Sequence, residues 1–197
     1  MSVAMKHSAC RTVEDLFAIP EEQRFHELID GELVPKAMPS AKHGSAQLAT
    51  RVLLRPYNRR TGGKGGPGGW WFAAETEVEL AFDQVYRPDV AGWRRERLPD
   101  LPTSVPVKLR PDWVCEILSP GNARNDTVKK LRAYHHYQVP SYWIIDPAAE
   151  TLTIHRLTES GYLPVLITRR GERVRAEPFD AIGIQVGVLF GDDEEDE

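Results

Sequence analysis

Two acidic residues and a pair of lysines carry the chemistry that the sequence suggests. The run Asp112-Trp-Val-Cys-Glu-Ile-Leu-Ser119 reads as a strand. Alternation places Asp112, Val114, Glu116 and Leu118 on one face and Trp113, Cys115 and Ile117 on the other. Both faces are apolar around Glu116, the pattern of a central strand covered on two sides. A carboxylate buried there is unfavourable unless a cation, a raised pKa or a metal compensates it, and an ion pair with a nearby Arg or Lys is the plain alternative. Arg87-Pro-Asp-Val90 sets a second carboxylate, Asp89, on the preceding strand. If the two strands are neighbours, Asp89 and Glu116 converge on one point. Paired carboxylates at strand ends suit a hard divalent ion such as Mg²⁺. Such an ion polarises a phosphoryl oxygen and lowers the pKa of a water. Lys129 and Lys130 follow on the next helix. Lys130 borders the apolar stripe of Leu131 and Tyr134, where its ammonium can orient water or answer developing phosphate charge. Lys129 is expected to be the more exposed, and solvent exposure of both is the alternative.

These side chains need a sheet and at least two helices to position them. Thr12-Val-Glu-Asp15 opens a short helix that Pro20 stops. Phe25 to Asp30 reads as a strand, Asp30-Gly31 as a hairpin turn, and Glu32 to Met38 as the return. Ser40 caps a helix expected to run to about Arg60. A Gly-rich loop from Gly62 to Gly69 lacks the GK[ST] ending of a phosphate cradle and reads as a linker. Strands are expected over Trp70–Phe82 and Tyr86–Arg94, then a Pro-punctuated loop. After the Glu116 strand, Asn125 or Asp126 caps a helix to about Gln138. Ser141–Asp146, Thr151–Leu157, Tyr162–Arg169 and Gly183–Phe190 read as strands. The order is helix, three strands, helix, strand, with additional N- and C-terminal strands: an α/β (α+β) arrangement on one mixed central sheet. Glu75, Glu77 and Glu79 share one strand face, ordinarily a solvated one, although Glu75 or Glu77 approaches the site if the sheet edge lies there. Cys115 reads as a core thiol. The adjacent His135 and His136 cannot face one metal together as an i, i+4 pair does.

Composition excludes several classes. With 197 residues, 41% hydrophobic and 27% charged, the chain reads as one soluble domain over residues 12–190, after a flexible N-terminal segment 1–11. No apolar run approaches the roughly twenty residues of a membrane span, and no signal-peptide pattern opens the chain, so a cytoplasmic location is expected. Two cysteines are too few for a disulfide framework. The net charge of −4 conceals an entirely acidic stretch from Asp192 to Glu197, read with Gly191 as a disordered tail, residues 191–197. The remainder is weakly basic and carries Arg51, Arg55 and Arg59 along the expected Ser40 helix, a permissive pattern for nucleic-acid backbone.

The ordered set resembles the Uma-type family of restriction-endonuclease-like proteins, a branch of the PD-(D/E)XK nuclease superfamily. The matching pieces are Glu27-Leu-Ile-Asp-Gly-Glu-Leu33, His43, Arg87-Pro-Asp-Val90, Val114-Cys-Glu-Ile-Leu-Ser-Pro120, Asp126 to Tyr134, and Val139-Pro-Ser-Tyr-Trp-Ile-Ile-Asp-Pro147. The resemblance implies a restriction-endonuclease-like core and a Mg²⁺- or Mn²⁺-dependent endonuclease acting on DNA. It implies Asp89 and Glu116 as metal ligands and Lys130 as the catalytic lysine. Leu118 stands where the superfamily has its lysine, and the resemblance implies that the ammonium has moved to the helix. Glu27 is implied as a further ligand or orienting group and His43 as a secondary site residue; Glu77 is a further secondary candidate on the position of its strand face alone. Pairing with an Arg and helix capping are the structural alternatives for Glu27 and His43. A catalytically degenerate domain that binds nucleic acid or a protein partner is the competing expectation, motivated by Leu118. A protein-interaction module working through the acidic tail is a third. A homodimer would cover exposed sheet and the Trp70-Trp71 segment.

Overall fold

The computed structural model describes residues 10–119 and 125–193. The chain opens with α1 (Val13–Phe17), where the Thr12 N–H donates to Asp15 Oδ2 at 2.9 Å. Strands β1 (His26–Ile29) and β2 (Glu32–Pro35) form the expected hairpin. Asp30 and Gly31 carry it at φ 51° and 71°, the two positive values that an Asp-Gly turn supplies. Helix α2 (Ala41–Leu53) starts at Ser40, whose Oγ accepts the His43 N–H at 3.2 Å. It ends well before Arg60, because the ring of Pro56 cannot continue the backbone ladder.

Six further strands and a crossover follow: β3 (Trp70–Ala74), β4 (Val78–Ala81), β5 (Gln84–Tyr86), β6 (Val90–Arg94), β7 (Trp113–Ile117), a π-helical segment Asn125–Lys130 running into α3 (Leu131–His136), and β8 (Ser141–Asp146). The meander β9 (Thr151–Thr158) and β10 (Gly161–Arg169) comes next, then the short β11 (Arg173–Val174) and β12 (Ile184–Gln185). Among the described residues the strands form a six-stranded sheet ordered β10-β9-β8-β7-β6-β3, a four-stranded sheet ordered β2-β1-β5-β4, and a two-stranded ladder. β7 and β8 run parallel and the other ladders are antiparallel, so the central sheet is mixed. The parallel pair requires a crossover, and the segment containing α3 supplies it.

Two expected strands are each divided. Trp70–Phe82 breaks between β3 and β4, and Tyr86–Arg94 breaks between β5 and β6. In each case one half pairs in the six-stranded sheet and the other in the four-stranded sheet. Pro88, which has no N–H to give a ladder, lies in one break, and Glu75, at φ 52°, lies in the other. The sheets therefore meet at a corner built from residues 75–77 and 87–89. The expected terminal strand Gly183–Phe190 is likewise only Ile184–Gln185, followed by a 3₁₀ turn, Val186–Phe190, packed against α2. A short apolar run bears the same pattern in a buried turn as in a strand.

β7 is buried on both sides, as its alternation implied. Trp113, Cys115 and Ile117 join the core beneath α2, while Val114 joins a second core with Tyr86, Tyr134 and Tyr142. In the first core Phe179 is surrounded by the rings of Tyr57, Trp70, Phe72, Trp113 and Trp143, with centroids 4.9–5.5 Å away. Trp70 is thus covered by its own chain, and Trp71 lies under the Arg95 guanidinium, 3.3 Å from the ring centroid. For the Trp70-Trp71 segment, cover is provided within the chain, while Leu163 and Ile167 of β10 stay exposed. Of the expected flexible ends, residues 1–9 and 194–197 lie outside the described residues, as do the side chains of Asn125 and Asp126 expected to cap the second helix. No helix among the described residues is long and apolar enough to cross a membrane.

Candidate active site

Strand register brings the acids together. Ala74 pairs with Val90, and Val90 with Cys115. One further step along these ladders aligns Glu75, Asp89 and Glu116 in a row across three strands, at the corner where β3 and β6 leave the six-stranded sheet.

Asp89 is 2% exposed. Its Oδ2 accepts the Ile117 N–H at 2.7 Å, and its Oδ1 lies 2.9 Å from Lys36 Nζ and 3.2 Å from His43 Nε2. Burial alone would raise this carboxyl, but the His43 hydrogen bond and the Lys36 charge outweigh it and hold Asp89 well below the usual carboxylate range. His43 Nδ1 stands 3.1 Å from Ser119 Oγ. A ring donating from Nε2 to Asp89 accepts the Ser119 hydroxyl at Nδ1.

Lys36, just past β2, enters the same place. Its ammonium meets Glu75 Oε2 at 2.8 Å, Asp89 Oδ1 at 2.9 Å and the Arg87 carbonyl at 2.6 Å. Burial opposes its charge, but Asp89 and Glu116 more than offset burial and raise the Lys36 pKa, so it stays an ammonium. Glu75 is held in its left-handed backbone conformation by Lys36, by Gln47 Nε2 at 3.1 Å, and by Arg87 Nε donating to its carbonyl at 2.9 Å. That conformation costs about 1 kcal/mol for a non-glycine residue.

Glu116 belongs to an adjoining cluster. Its Oε1 accepts Lys130 Nζ at 3.0 Å and the Tyr134 hydroxyl at 2.8 Å. Lys130 also lies 3.0 Å from Glu27 Oε1, which accepts the Arg87 N–H at 2.7 Å. Glu27, from the four-stranded sheet, and Glu116, from the six-stranded one, thus share one ammonium, with the three side chains 3% exposed or less. Burial pushes the Tyr134 hydroxyl far above its ordinary value, which keeps it a donor. Lys36, His43, Asp89, Glu116, Ser119 and Lys130 line a small cavity of about 10 Å³, roughly the space one water centre sweeps. His43, Glu75 and Asp89 each offer a donor atom within 4.8 Å of one another, a set that can hold a metal ion.

The protein is matched over residues 13–188 by a family model described as Uma2, putative restriction endonuclease. The chain belongs to the Uma2 family. A crystal structure described as a putative nuclease belonging to DUF820, from Anabaena variabilis, is similar with a TM-score of 0.67 at 20% identity, covering 91% of this chain and 97% of that one. At that identity the likeness establishes the fold alone, an α+β fold with a mixed central sheet. Curated proteins give no match.

Of the residues matched to the Uma-type pattern, the structure brings Asp89, Glu116, Lys130 and Glu27 to one corner, with His43 on Asp89. Glu77 does not join them: its carboxylate is bonded to Arg24 Nε at 2.8 Å, and Glu75 reaches the site instead. Lys129 points away, with its side chain 42% exposed. Cys115 is fully buried, its thiol pushed up by burial. Lys36, Gln47, Ser119 and the Arg87 backbone are site residues that sequence reasoning missed. The available signal was a lysine within the return strand expected over Glu32 to Met38. At the other end of α2, a groove of about 1300 Å³ is lined by Arg55, Arg59, Arg173 and Arg175 together with Val52 and Ile182. Arg51 lies on the exposed last turn of α2, outside that lining.

Proposed function

We propose that this Uma2 chain hydrolyses DNA phosphodiester bonds with a Mg²⁺ or Mn²⁺ ion held by Asp89 and Glu116. The observation that carries the reading is the row itself. Two buried acids on adjacent strands reach one small cavity, beside an ammonium delivered by a third element. Family membership supports the nuclease class. The donor chemistry fits: carboxylate oxygens are the ligands that hard divalent ions prefer, and Glu75 and His43 stand close enough to Asp89 to join it. When bound, such an ion polarises a phosphoryl oxygen and supplies a water of lowered pKa.

The chain's own groups do the rest. The Ile117 N–H and His43 fix the orientation of Asp89, and Tyr134 fixes that of Glu116. Lys130 presents an ammonium at the cavity wall, where it orients water or stabilises charge on the scissile phosphate. Arg55 and Arg59, with Arg51 nearby, hold backbone phosphates without reading sequence. The test is cleavage of plasmid DNA with Mg²⁺ or Mn²⁺ by the wild type, Asp89→Ala and Glu116→Ala. Activity confined to the wild type supports the reading, and equal activity in all three overturns it.

A second reading is a domain that binds DNA without cutting it. It is favoured by the ion pairs that already answer the acids: Lys36 on Asp89 and Lys130 on Glu116. Calorimetric titration with Mn²⁺ separates the two, because a binding-only domain has no need to retain the ion.

A further inference from the structure

Lys36 is a cation of the site whose position the metal-dependent reading does not use. Three oxygens converge on its Nζ at 2.6–2.9 Å: a Glu75 carboxylate, an Asp89 carboxylate and the Arg87 carbonyl. Two carboxylates and a carbonyl disposed around one cation form the donor set expected of a hard metal ion. The ammonium touches two members, Glu75 and Asp89, of the group formed by His43, Glu75 and Asp89. It belongs to the stretch between β2 and α2 that has no regular structure, and a four-carbon stem connects it to the backbone. Glu75, whose side chain is 32% exposed, opens this place towards solvent.

We propose that the oxygens of Glu75, Asp89 and Arg87 form a cation seat that the ion-free chain fills with its own Lys36 ammonium, and that a divalent ion enters by displacing it. The proposal rests on the metal-dependent reading above and deepens it. Charge supplies the reason for an internal occupant. Asp89 is almost fully buried, and without a cation it would be an uncompensated charge. Lys36 therefore holds the corner together before the ion arrives, and it competes with the ion afterwards.

The experiment is calorimetric titration of Mn²⁺ into the wild type, Lys36→Met and the double variant Lys36→Met/Asp89→Asn, with thermal melts of each in the presence and absence of Mn²⁺. Lys36→Met is expected to bind Mn²⁺ at least tenfold more tightly than the wild type. Its ion-free melting temperature falls, and Mn²⁺ raises it by more than it raises the wild type's. The double variant loses both gains. If Lys36→Met does not fold without ion, Lys36→Gln, which keeps a neutral donor of similar reach, makes the same comparison. Equal or weaker Mn²⁺ binding by a folded Lys36 variant, with the wild type still binding, overturns the seat and leaves the metal-dependent reading standing. No Mn²⁺ binding by any folded variant overturns both.

Discussion

Lys130 is shared between Glu27 and Glu116 at 3.0 Å from each, with almost no solvent to screen the contacts. Lys130→Met leaves two carboxylates buried without their cation. Urea unfolding is expected to show a loss of about 3–5 kcal/mol, the usual effect of removing one partner from a buried pair. Glu27→Gln in the same background should restore part of that loss, because one uncompensated charge is removed with it. Asp89 makes the acid limb predictable. Its folded pKa lies below its unfolded value, so it contributes stability fully above about pH 4 and loses it as pH falls towards the folded value. Wild type and Asp89→Asn compared by urea unfolding should therefore differ most near neutrality and converge in acid. Asp89, Glu116 and Lys130 were legible because a carboxylate amid apolar neighbours and a lysine at a stripe's margin break local patterns. Glu75 could not be told from Glu77, since alternation gives both the same face. Lys36 was illegible because its partners lie on strands that meet it only in the folded chain.

The elements show which part of the fold the sequence could carry. The Asp30-Gly31 hairpin, the Ser40 cap and β8 stand where turn chemistry, capping and an apolar aromatic run placed them. The divided strands do not, apart from the warning given by Pro88. A strand that changes sheets keeps its alternation on both sides of the break, so the pattern runs on while the pairing partner changes. That break aims Glu75 at Asp89 and sends Glu77 to Arg24. The first turn of α2 has a comparable role for His43, which the cap holds by its backbone. Ser40→Ala is expected to lower stability by about 1 kcal/mol in urea unfolding. It should also weaken Mn²⁺ binding measured by calorimetry, as His43 loses its fixed approach to Asp89.

At the scale of the molecule, α2 joins two functional regions. His43 in its first turn touches the acids, and Arg55 and Arg59 beyond its end line the large groove, about 20 Å away for a helix of this length. Arg55→Glu/Arg59→Glu is therefore expected to weaken DNA binding and lower its salt slope by roughly 2, read from affinity against salt concentration, while Mn²⁺ binding stays unchanged. The crossover that returns the chain from β7 to β8 has a different consequence. The acids take their spacing from the sheet ladder, whereas the Lys130 ammonium takes its bearing from the packing of Leu131 and Tyr134 in the second core. One residue inserted between Lys130 and Tyr134 would turn the lysine by about 100° relative to that packed stripe. The spacing of lysine and tyrosine along the crossover is thus as much a specification of the site as the identity of its acids.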